Sequence, residues 1–142
     1  MSPAKWVDNG RAFELVFNES VADGGGSGSA FIEDYYHLDG FESVAGNIGA
    51  KFEAVEDHLR KAAKQDFDSL FITFTSATHV EVDPPVYPDV MALGTPAGNP
   101  PVRGVNERLR ELLKEMKGRR LGVVVMDFFE EPDGLVDLLL DF

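Results

Sequence analysis

The residue best placed to do chemistry is Asp127, which alone breaks the apolar run 121–129 (LGVVVMDFF). A carboxylate near the C-terminal end of a buried strand is costly to desolvate unless something pairs with it. In α/β folds that strand end is where sites assemble. Two readings stay open for it: a functional carboxylate, or one that caps the following turn at 130–134. A second cluster is Asp34, Tyr35 and Tyr36 in FIEDYYHLDG. A carboxylate beside phenols can hydrogen-bond the hydroxyls of a polyol while a ring covers its apolar face. The same aromatics at the start of an element can instead simply pack.

Three histidines add proton-transfer chemistry in principle. His79 ends the run SLFITFTSA, at the sheet edge Asp127 should share, so a His79–Asp127 dyad is one reading and a water-exposed loop histidine the other. His58 falls near the polar boundary of a helix and is expected to be solvated. His37 carries no signal of its own. No zinc-type spacing links the three, so no metal is expected. Glu130, Glu131 and Asp133 lack the alternation and central glycine of a calcium loop and read as a solvated turn. Gly24, Gly25 and Gly26 lead into no P-loop, and the chain has no G-x-S-x-G elbow, so no cofactor is expected either.

These side chains need elements to position them. Residues 11–17 (RAFELVF) read as a short strand, and 23–29 (DGGGSGS) as a flexible loop, since consecutive glycines are entropically costly inside an element. From Ser43, Val44, Ile48, Phe52, Val55, Leu59 and Ala62 recur at helical spacing, with Lys51, Glu53, Glu56, Asp57, Arg60, Lys61 and Lys64 assigned to the polar side. This predicts an amphipathic helix of about four to six turns, weakened at Gly46 and Gly49. Residues 69–77 (SLFITFTSA) predict a buried strand. Six of the eight prolines fall in 79–101, so 79–103 reads as a long irregular loop. A second helix is expected over 104–117, closed by Gly118 and a basic end. The continuous apolar run 121–129 predicts a parallel strand buried on both faces, and 135–142 a last short helix. Strand, helix, strand, helix, strand, helix is an α/β order wound on a parallel sheet.

Composition narrows the function classes. The 142 residues fit a single domain and carry 25 acidic and 13 basic side chains, a net charge of −12, with 44% apolar residues and no cysteine. Phosphate binding needs clustered Lys and Arg, so nucleic acid is not an expected partner, and tight docking on an anionic leaflet is disfavoured. The lack of cysteine removes disulfides, thiolate metal sites and cysteine nucleophiles. No run approaches a transmembrane segment, and residues 1–10 lack the apolar core of a signal peptide. For the chain as it stands a cytoplasmic location is the expectation, and the sequence does not fix the compartment.

Several segments together resemble the X domain of bacterial and fungal phosphatidylinositol-specific phospholipase C. They are FIEDYY (31–36), GNIGAKFEAVEDHL (46–59), SLFITFTSAT (69–78) and RLGVVVMDFFEEPDGLVDLLLDF (120–142), with FELVFNE (13–19) looking like the preceding strand. Their order matches the C-terminal half of that family, and the last segment is the most specific. The resemblance covers nearly all of the chain except the first ten residues and the glycine loop.

What the resemblance implies is a (β/α) barrel, present here as its C-terminal half, that cleaves an inositol phosphodiester by attack of the inositol 2-hydroxyl on phosphorus. Asp127 matches the aspartate that orients a base histidine in that family. Asp34 and Tyr36 match its Asp-x-Tyr, in which the carboxylate holds inositol hydroxyls and the ring packs against inositol. The family's histidine pair and its arginine come from the first strands of the barrel, and His37, His58 and His79 match none of those positions. A complete barrel takes about 250 residues and eight strands, against three or four here. The expected partner is thus an inositol phospholipid or related phosphodiester, with little turnover by this chain alone. The alternative is a non-catalytic half barrel that pairs with itself or with a separate N-terminal half. Such a half, if it carried a signal peptide, would make the protein secreted.

Overall fold

The computed structural model describes residues 30–38, 40–64 and 69–140, together with the backbone of two short strands, β1 (Val7–Asp8) and β2 (Arg11–Ala12), which pair antiparallel. The expected strand beyond Ala12 and the glycine loop 23–29 lie outside the described residues. There follow β3 (Ala30–Glu33), α1 (Val44–Ala62), β4 (Leu70–Phe74), α2 (Pro88–Leu93), β5 (Gly94–Thr95), β6 (Val102–Arg103), α3 (Val105–Glu115), β7 (Val123–Val125) and α4 (Leu135–Leu140). β3, β4 and β7 form one parallel sheet in the order β3-β4-β7, so the fold is mixed α/β with helices flanking a three-stranded parallel sheet. Among the described residues no helix is long and apolar enough to cross a membrane.

The register decides what each face carries. Phe31 opposes Phe71, and Glu33, Thr73 and Val124 form one row across the three strands. Paired residues point to the same face. Val124 packs on the larger core cluster, built from Val55 and Leu59 of α1, Leu109, Leu112 and Leu113 of α3, and Leu135 of α4. This row therefore faces the helices. The alternate row is Ile32, Ile72 and Val123, followed by Phe74 opposite Val125. Ile72 on the middle strand is buried, yet Ile32, Val123 and Val125 are 44%, 46% and 39% exposed. The continuous apolar run of β7 predicts cover on both faces, whereas among the described residues only the helix face is covered.

α1 begins where Ser43 accepts a hydrogen bond from the Gly46 N–H at 3.1 Å, a side-chain cap that satisfies one of the free donors of the first turn. The expected loop over 79–103 is partly ordered. Pro88 occupies the first turn of α2, where its missing N–H costs nothing, and β5 pairs with β6 as a short hairpin. Gly104 lies so close to α2 that a Cβ there would sit 2.1 Å from the Ala92 carbonyl oxygen, so backbone meets backbone at this corner.

Candidate functional site at the carboxyl ends of the parallel strands

All three strands end at the same edge, and each end is anchored differently. At the end of β3, Glu33 is buried and points to the helix layer. Its two carboxylate oxygens accept hydrogen bonds from Lys51 Nζ at 2.9 and 3.0 Å. The third Lys51 donor goes to the Tyr35 carbonyl at 2.9 Å, and the Tyr35 N–H donates back to Glu33 Oε1 at 3.0 Å. Both backbone polar groups of Tyr35 are thus held by one ion pair. Burial pushes the Lys51 ammonium below its usual value, and the hydrogen bond and charge of Glu33, with the charge of Asp34, offset part of that shift.

Sequence patterning assigned Lys51 to the solvent side of α1; the structure buries it completely. The spacing contained the signal, because position 51 lies three residues after Ile48 and four before Val55, inside the apolar stripe. A lysine in that stripe needs a carboxylate partner, and Glu33 is the one it finds. Neither Glu33 nor Lys51 was legible as a site residue from type alone.

Past β3 the chain leaves the sheet, and Asp34, Tyr35, Tyr36 and His37 are exposed. Asp34 and Tyr36 share an open depression of about 540 Å³ with Ile32, Glu33 and Ala54. The Tyr36 and His37 rings meet edge to face with centroids 5.0 Å apart. The Tyr36 carbonyl accepts from the Thr78 N–H at 2.8 Å, and the Leu38 N–H donates to the Thr78 carbonyl at 3.1 Å. The segment is therefore tied to both α1 and the continuation of β4.

Past the end of β4, where its backbone bridges to Val86, His79 is buried rather than water-exposed. Its Nδ1 lies 2.7 Å from Asn47 Oδ1. The Asn47 amide nitrogen donates to the Phe41 and Ser43 carbonyls at 3.2 and 2.8 Å, so its oxygen must accept and His79 Nδ1 must carry the proton. Neither reading of His79 holds: it is not exposed to water, and its Nδ1 pairs with Asn47 rather than Asp127. His58 is half-buried, not solvated, with Nδ1 2.9 Å from Thr73 Oγ1 on the helix face of the sheet. Its Nε2 is buried without a partner among the described residues. Burial lowers its pKa, against the opposing charge of Glu33.

At the end of β7, Asp127 is half-buried and begins a turn in which Phe128 adopts φ 52°, a conformation that side chains rarely take. Asn106 of α3 organises this turn: its amide nitrogen lies 3.0 Å from the carbonyls of Asp127, Phe128 and Glu131. Among the described residues the Asp127 carboxylate has no hydrogen-bond or ion-pair partner, so it does not cap the turn. Glu130, Glu131 and Asp133 are exposed, as a solvated turn requires.

The structure thus brings Asp34 and Tyr36 into one depression and sets Asp127 at the same end of the sheet, two strands away. By ordinary strand spacing β3 and β7 lie roughly 10 Å apart, with β4 between them. No protein-family model, curated protein or solved structure matches the chain.

Proposed function

We propose that the chain is the C-terminal half of a phospholipase C-like phosphodiesterase barrel, holding an inositol phosphodiester headgroup without cleaving it unaided. The observation that carries this reading is that Asp34 and Tyr36 share one depression at the carboxyl end of the parallel sheet and that Asp127 lies at that same end, where barrel sites assemble. Asp34 would accept hydrogen bonds from ring hydroxyls, and the exposed Tyr36 ring would cover the apolar face of the inositol. Asp127, its carboxylate uncommitted, would orient a base histidine supplied by another chain or segment.

Two of the three histidines are poor substitutes for the acid–base pair; His37 is exposed and lines the depression beside Tyr36, but it matches neither histidine position that the resemblance implies. His58 lies on the helix face of the sheet, and the Nδ1 of His79 is committed to Asn47. A positioned base or acid contributes about 10²–10⁴-fold each, and the two act as a unit. Calorimetric titration with myo-inositol 1-phosphate tests the reading. The chain is expected to bind one equivalent, with Asp34→Asn and Tyr36→Ala each weakening binding about tenfold. Absence of binding by the parent chain overturns it.

A second reading, a non-catalytic half barrel that pairs through its sheet, is favoured by the exposure of Ile32, Val123 and Val125 on one apolar face. Parallel sheets are ordinarily covered on both sides. Sedimentation equilibrium decides for self-pairing: a mass that grows with concentration supports it, and a constant monomer mass removes it.

A further inference from the structure

We propose that Lys51 is a positioning residue for the headgroup site: with Glu33 it clamps the Tyr35 peptide and so fixes where Asp34 and Tyr36 project. The inference rests on the proposed headgroup reading and deepens it. Lys51 has no exposed surface, and its three N–H donors are matched by three acceptors, the two oxygens of Glu33 and the Tyr35 carbonyl. A lysine so enclosed cannot serve as a nucleophile or touch a ligand.

Its placement nonetheless governs the site. Tyr35 stands between Asp34 and Tyr36, and its N–H and carbonyl are both bonded to the pair. Two adjacent peptide planes are set in this way, and with them the Cα positions of both flanking residues. The pair also spans the layers: Glu33 ends β3, whereas Lys51 sits inside α1. The exposed segment is thereby referenced to the packed helix rather than left to the strand end alone. Replacing a buried ion pair by an apolar pair of similar volume is often neutral or stabilising for a fold. What such an apolar pair would lack are the bonds to the Tyr35 N–H and carbonyl, the features a positioning role requires.

The test compares myo-inositol 1-phosphate binding and amide hydrogen exchange in four chains. They are the parent, Lys51→Met, Lys51→Arg and the double variant Glu33→Met with Lys51→Met. The double variant is the safeguard should Lys51→Met alone fail to fold, since it leaves no unpaired buried charge. The expected result is loss of binding by about tenfold or more in the folded double variant, with faster exchange confined to amides 35–37. Lys51→Arg, which keeps donors for the carbonyl, is expected to restore part of the affinity. A folded double variant that binds like the parent overturns the inference. Should the parent itself not bind, the headgroup reading falls. Exchange then decides the clamp, local acceleration at 35–37 upholding it and an unchanged pattern overturning it.

Discussion

Asn106 lies 3.0 Å from the carbonyl of Asp127, and through that bond a buried residue near the start of α3 sets the turn that follows β7. The same nitrogen reaches the carbonyls of Phe128 and Glu131, while Oδ1 of Asn106 is buried with no partner among the described residues. Asn106→Ala strands carbonyls but removes the orphaned oxygen, so a loss of about 1–3 kcal/mol is expected in urea unfolding. Asn106→Asp turns an acceptor toward three acceptors and is expected to cost more than the alanine. Equal losses in the two variants would show that the amide does not organise the turn.

His58 makes stability depend on pH. Its pKa is lowered in the fold by burial, so the unfolded chain takes up a proton first as pH falls. The stability it contributes is fully present above its ordinary value of about 6.5 and is lost as pH drops through the lower folded value. Replacing it with Phe, which keeps the contact to Phe71, is expected to flatten the unfolding free energy across that window. An unchanged slope in the variant would remove His58 as the cause.

Two glycines with the same backbone sign should respond differently. Gly122 has φ 79°, and a Cβ there would lie 2.3 Å from the Phe71 carbonyl oxygen, on the strand that β7 pairs with. Gly118 has φ 76° with nothing within 4 Å of a built Cβ. Gly118→Ala is expected to cost about 1–2 kcal/mol from conformation alone. Gly122→Ala adds a backbone clash to that strain and is expected to cost clearly more in the same unfolding assay.

The open face of the sheet can be read by a matched pair of substitutions. Val124 faces the helix core and Val125 faces away. Val124→Thr buries a hydroxyl and is expected to destabilise by about 1–3 kcal/mol, whereas Val125→Thr stays within about 0.5 kcal/mol. Comparable losses at both positions would mean that a partner covers the second face in solution.

The alternation of α1, β4, α3, β7 and α4 was legible because hydrophobic period and β-branched runs are local signals, whereas β3 was not: the first strand was expected over 11–17, and the four residues Ala30–Glu33 are too short a run to show a period of their own. α2 was hidden among prolines: Pro88 reads as a breaker although a proline is equally at home in a helix's first turn. Asp34, Tyr36 and Asp127 stood out by type and place. Lys51, Asn47 and Asn106 did not, because a polar residue on an apolar stripe is assigned outward unless its partner is known. Glu33 is 18 residues from Lys51 in sequence, and His79 is 32 from Asn47, and only the folded chain brings each pair together. The same limit applied to the open sheet face, since apolar content in a strand does not say whether both sides are covered.

The central claim is that the carboxyl ends of β3 and β7 form one headgroup site, and amide chemical-shift mapping with myo-inositol 1-phosphate tests it most directly. The account predicts saturable shifts concentrated at residues 33–37 and 126–128, lost in Asp34→Asn. Shifts confined to the opposite end of the sheet, around Arg119 and Arg120, or no shifts at all, would contradict it.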